Sequence, residues 1–100
     1  GDPAMIRAEF PHFDGTATFA ALAAALPDFR DTSWRHDACP SLSRERAGQR
    51  VTLWVETADP AMREADGPRY CVAVYSDRLD ILASIATDCT ARAINAALAA

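Results

Sequence analysis

The sequence predicts an α+β fold: a two-layer sandwich in which a roughly four-stranded antiparallel sheet carries an N-terminal and a C-terminal helix on one face. Three observations predict it. Ala-rich segments at each end place apolar residues at helical spacing, whereas four stretches between them alternate with the period of a strand. Those stretches follow one another through short connections, which favours antiparallel pairing, and the two helices then need a common surface on which to bury their stripes.

Residues 1–5, Gly-Asp-Pro-Ala-Met, read as a vector scar ending in an initiator Met5, which leaves residues 6–100 as a single α+β domain. Ile6, Ala8 and Phe10 alternate, so a short edge strand is expected before Pro11. Thr16 is an N-cap candidate, Ala17 to Leu26 has high helix propensity, and Pro27 closes the segment. Phe19, Leu22, Ala23 and Leu26 fall at i, i+3, i+4 and i+7, the spacing of one buried stripe.

From Trp34 to Leu42 the chain alternates again. As a strand it would set Trp34, His36, Ala38 and Leu42 on one face and Arg35, Asp37, Cys39 and Ser41 on the other, with Pro40 confining it to an edge. Ser43 to Arg50 reads as a solvated hairpin loop carrying Arg44, Arg46 and Arg50. Val51 to Thr57 is the clearest strand, with Val51, Leu53 and Val55 opposed to Thr52, Trp54 and Glu56. Asp59-Pro60 followed by Gly67 punctuates one or two helical turns. Tyr70–Ser76 and Leu79–Ala86 are strands joined by a turn at Ser76-Asp77-Arg78. A last helix, capped by Thr87 or Asp88, runs to about Ala99 with Ala91, Ile94 and Leu98 as its buried stripe.

This arrangement leaves Trp54 and Tyr75 on the sheet face away from the helices, with Arg35, Asp37 and Glu56 beside them. Aromatic residues on an uncovered sheet point to a protein interface, so these five are the candidate partner-binding residues. RNA-binding sheets also display aromatics, but the net charge of −4 and the absence of any Lys argue against nucleic acid. An acidic surface suits a basic protein partner.

Catalytic chemistry finds less support. His36 and Asp37 would face opposite ways on a strand, and no G-x-S-x-G elbow or glycine-rich phosphate loop is present. The three cysteines, Cys39, Cys71 and Cys89, form no C-x-x-C, so no metal or cofactor is expected. Their odd number and the lack of a signal-peptide pattern suggest a cytoplasmic protein; no apolar run approaches membrane-spanning length. Ten Arg without a Lys and twenty-two Ala are the mark of a high-GC bacterial or phage genome.

The expectation is therefore a small acidic, non-catalytic protein-binding module. Its most concrete form is an inhibitor of a basic nucleic-acid-handling protein, the strategy of anti-CRISPR and immunity proteins, by analogy of size and charge. The alternatives are a structural homodimer or assembly subunit joined through the sheet face, and a small enzyme or metal/redox site around His36–Cys39.

Overall fold

The computed structural model describes residues 6, 8–64 and 66–100; the expected tag and initiator at 1–5 lie outside them. Helix α1 spans Thr16–Ala25. Strands β1 (Arg30–Asp31), β2 (Ser41–Arg46), β3 (Gln49–Val55), β4 (Tyr70–Tyr75) and β5 (Ile81–Thr87) follow, and helix α2 (Thr90–Ala99) ends the chain. The strands pair antiparallel in simple sequence order, β1-β2-β3-β4-β5. The α+β sandwich is as the alternating patterns predict, with β1 added as a short fifth strand.

Periodicity explains which sheet face the helices cover. Leu42 pairs with Leu53 and Leu53 with Val72, while Val55 pairs with Tyr70. These side chains share one face with Val51 and form a core with Phe19 and Leu22 from α1, Leu26 just past its end, and Ala93 and Ala97 from α2. Each fully buried aliphatic side chain contributes about 1.5–3 kcal/mol. Tyr70 is fully buried, and its hydroxyl meets Thr90 Oγ1 at 2.9 Å, which ties β4 to the first residue of α2.

Several local expectations are corrected. Ile6, Ala8 and Glu9 are helical rather than extended, because the Phe10 N–H closes a turn on the Ile6 carbonyl at 2.8 Å. Gly15, not Thr16, occupies the N-cap position of α1, and no side chain caps that helix. Trp34–Cys39 is a loop. Asp31 Oδ1 accepts the Ser33 N–H at 2.8 Å and the Trp34 carbonyl accepts the Asp37 N–H at 2.8 Å, so local hydrogen bonds replace a ladder.

The expected loop at 43–50 is a tight hairpin. Ala47 and Gly48 both take positive φ, 52° and 76°, in a two-residue turn whose twist matches the flanking strands. Arg44 consequently lies within β2 rather than in a solvated tip. Its guanidinium stands 5.3 Å from the Phe29 ring centroid and donates to the Ala100 carbonyl.

The Asp59-Pro60 signal produces a 3-10 turn, Pro60–Met62, with Asp59 Oδ1 accepting the Ala61 N–H at 3.0 Å. In α2 the buried positions are Ala93 and Ala97, whereas Ala91 and Leu98 are exposed and Ile94 is half-buried. The small residues face the sheet because they allow the helix to approach the backbone closely, which displaces the larger side chains to its flank.

Candidate partner-binding face

Among the described residues, both helices pack on the first face of the sheet and none lies on the second. Its rows follow from the register: Ser41, Trp54, Cys71 and Ala86; then Ser43, Thr52, Ala73 and Ser84; then Glu45, Arg50 and Tyr75. Hydroxyls fill the β1–β2–β3 end. Thr32 Oγ1 lies 2.8 Å from both Ser41 Oγ and Ser43 Oγ, and Ser43 Oγ lies 2.9 Å from Thr52 Oγ1. The small buried polar side chains thus satisfy one another without an external layer.

Trp54 and Tyr75 lie on this face, at opposite ends of a diagonal. Between them sits the Thr52–Ala73 pair, and Trp54 Nε1 donates to Tyr75 Oη at 3.1 Å. The two side chains lie along the sheet and leave Thr52 and Ala73 only 2% exposed. Each aromatic remains half-buried, with the rest of its ring open to solvent. Beside Tyr75, Glu45 bridges Arg50 at 3.0 Å and Arg30 at 3.5 Å. The hydrogen bond from Arg50, and then the two guanidinium charges, hold the Glu45 carboxyl below its ordinary range.

The other candidates gather at the Trp54 end. Asp37, Glu56 and Trp54 line one shallow groove with Cys39, Cys71 and Arg69. Arg35, Asp37 and Glu56 also line an adjoining cleft of about 200 Å³, with Glu9, Glu64 and His12 at its walls. Four of the five expected residues are therefore neighbours, and Tyr75 joins them only through Trp54. Carboxylates outnumber the cationic Arg35 around the cleft. Burial, the largest influence, pushes the Glu56 carboxyl above its ordinary range, while the Thr57 amide and Arg63 pull the other way. Burial likewise raises the Cys39 thiol to about 12, helped by the negative charges of Glu56 and Asp37.

Two features of the region escape the sequence pattern. Trp34 is 58% exposed and packs edge-on against the His36 ring, with centroids 4.8 Å apart. As a strand, this stretch would set both residues on one face with Leu42, whereas in the loop they pack on each other. Residues 57–64 and 66–69 belong to a braced connection at the end of the sheet. Arg63, whose side chain is 6% exposed, donates to the carbonyls of Thr57, Gly67 and Ala58 at 2.9, 2.7 and 3.2 Å. From the other side, the Asp14 carboxylate accepts from the Thr57 hydroxyl and the Ala58 and Asp59 amides.

No family model matches the chain, and comparison with curated proteins and with solved structures finds no match either. The site must be read from its own geometry. His36 contacts Arg35 at 3.4 Å at an exposed position and has no nucleophile within the described contacts. Among the described residues, no three His, Cys, Asp or Glu side chains are placed to hold a metal ion, and no helix is long and apolar enough to cross a membrane.

Proposed function

We propose that this protein is a small acidic binding module that holds a basic protein partner against the uncovered sheet face and the acidic cleft at its end. The observation that carries this reading is the adjacency of half-open Trp54 to Asp37 and Glu56 in one groove. An aromatic side chain supplies apolar contact area at low entropic cost, and flanking carboxylates select a cationic side chain and speed its approach. Exposed Trp34 lies on the same loop as Arg35 and Asp37 and extends the contact surface. A partner that handles nucleic acid fits this chemistry, because its phosphate-binding surface is cationic. Covering that surface would inhibit it.

The test is affinity capture from nuclease-treated lysate of a high-GC bacterium, using wild type, Trp54→Ala and the double variant Asp37→Asn/Glu56→Gln, with circular dichroism confirming their folds. A stoichiometric basic protein retained by wild type, lost with Trp54→Ala and weakened by salt and by the charge-neutral variant is the expected result. A partner held equally by all three proteins overturns the assignment of this face.

A further inference from the structure

The cleft at the Trp54 end of the sheet is more than a patch of negative charge. Its volume is about 200 Å³. At roughly 30 Å³ for each water-sized group, that is room for about seven such groups. Phe10, Phe13, Pro40 and Met62 give the cleft apolar walls, and Cys39 adds a thiol that burial keeps neutral. Phe10 is almost wholly buried, whereas Phe13 is half-buried and Met62 is 50% exposed, so the last two present apolar surface to whatever enters.

The carboxylates of this cleft lack a cation of their own. Glu9, Asp37, Glu56 and Glu64 line it, and none of them forms an ion pair among the described residues. The nearby guanidiniums are committed elsewhere. Arg63 donates to the carbonyls of Thr57, Ala58 and Gly67, and Arg69 Nε donates to the Glu56 carbonyl at 3.3 Å. Arg35, at the rim, meets His36 Nε2 at 3.4 Å through its own Nε. Burial raises the Glu56 carboxyl because the Thr57 amide and Arg63 compensate its charge only in part, and a cation arriving in the cleft would complete that compensation.

We infer that this cleft receives one arginine side chain of the partner, its apolar stem against Phe13 and Met62 and its guanidinium among the carboxylates of Asp37, Glu56 and Glu64. The inference rests on the proposed binding of a basic protein and narrows it to a single residue type. An arginine side chain fills the space of about seven water-sized groups, whereas that of lysine is shorter. The guanidinium is also more weakly hydrated than an ammonium, so a partly apolar cleft strips it of water at lower cost. Its planar fork of N–H donors can meet carboxylates on more than one wall at once, while an ammonium is a compact point charge. A long stem that packs along apolar walls while its charged head stays at the polar rim completes the match.

Amide NMR of the full chain titrated with Nα-acetyl-arginine amide tests this without the partner. The corresponding lysine and citrulline amides are the controls, citrulline being the uncharged isostere of arginine. The arginine amide is expected to give saturable shifts at Asp37, Cys39, Glu56 and Thr57, with a dissociation constant on the order of 1 mM, the scale for so small a ligand. The lysine amide should bind about fivefold more weakly, and the citrulline amide should not saturate. Asp37→Asn/Glu56→Gln, its fold checked by circular dichroism, should lose the shifts. Glu64→Gln, at an exposed position where folding is not at risk, should weaken binding about threefold. No saturable shift up to about 20 mM overturns the inference. So does equal binding of the lysine or citrulline amide, or shifts confined to residues away from the cleft. The probe separates this inference from the reading beneath it: a basic partner captured on Trp54, with no shift from the arginine amide, keeps the binding face and rejects the arginine pocket. An arginine shift at the cleft with no captured partner does the reverse.

Discussion

Trp54 donates its indole N–H to the Tyr75 hydroxyl at 3.1 Å, over the top of the Thr52–Ala73 pair. The two aromatics are thus the cover of the uncovered face as well as its most prominent contact area. A partner that docks there meets a surface already ordered by this bond, so it loses less side-chain entropy than it would on two free rings.

That bond separates structural from interfacial effects. Tyr75→Phe removes the acceptor at a half-open site and is expected to cost about 0.5–1.5 kcal/mol in urea unfolding. Trp54→Ala also uncovers Thr52 and Ala73; it is expected to cost about 2–3 kcal/mol, below the range for a fully buried Trp because its ring is half exposed. Equal losses for the two variants would show that the Trp54 ring adds no packing beyond the hydrogen bond.

The braced connection at 57–64 and 66–69 rests on Arg63. Arg63→Met leaves the carbonyls of Thr57, Ala58 and Gly67 without their shared donor and is expected to destabilise the fold by about 1–3 kcal/mol. Arg63→Lys should recover only part of this, because a single ammonium cannot span three carbonyls as a planar fork does. Amide hydrogen exchange should accelerate first at residues 57–64 and 66–69. An unchanged exchange pattern in Arg63→Met would mean that Asp14 alone holds the loop.

The parts of the fold that were legible in the sequence are those in which one periodicity dominates. Phe19, Leu22 and Leu26 could only be a helical stripe, and Val51, Leu53 and Val55 could only be one face of a strand. The misread segments are those in which local chemistry competes with pattern. Trp34 to Leu42 alternates like a strand, but the Asp31 and Ser33 side chains accept from the backbone amides of Ser33 and Ser41, and the chain turns before Pro40. The buried stripe of α2 was misplaced because size outweighs hydrophobicity where a helix lies close to a sheet, so Ala93 and Ala97 go inward instead of Leu98. The site was half legible. Alternation placed Trp54, Glu56 and Tyr75 on the same face, but the loop that brings Asp37 to them follows from turns that alternation does not encode.

The three thiols should separate cleanly by reactivity, and all are free. Cys89 is exposed and is expected to be alkylated first by iodoacetamide at mildly alkaline pH. Cys71 should follow slowly, since burial raises its thiol. Cys39, buried and raised to about 12, should react only when the chain unfolds. Mass spectrometry of peptides over a labelling time course reads all three, and prompt native-state modification of Cys39 would mean that the cleft opens readily.

Asp14 and Glu56 should give pH dependences of opposite sign. The Thr57 hydroxyl, above all, and then the Ala58 and Asp59 amides hold the Asp14 carboxyl below its ordinary value of 3.8. Its contribution to stability is therefore fully present above that value and is lost as pH falls through the lower folded-state value. Asp14→Asn should destabilise the protein at neutral pH, with the difference from wild type shrinking in acid. Glu56 is the reverse case, because burial raises its carboxyl above 4.5 and its ionisation opposes folding as pH climbs beyond that point. Glu56→Gln can still accept the Thr57 N–H and removes the buried charge, so it should be more stable than wild type at neutral pH and indistinguishable from it well below 4.5. Urea unfolding of the three proteins across this range measures both trends. A Glu56→Gln variant less stable than wild type at neutral pH would show that the attraction of Arg63 outweighs the burial of the carboxylate.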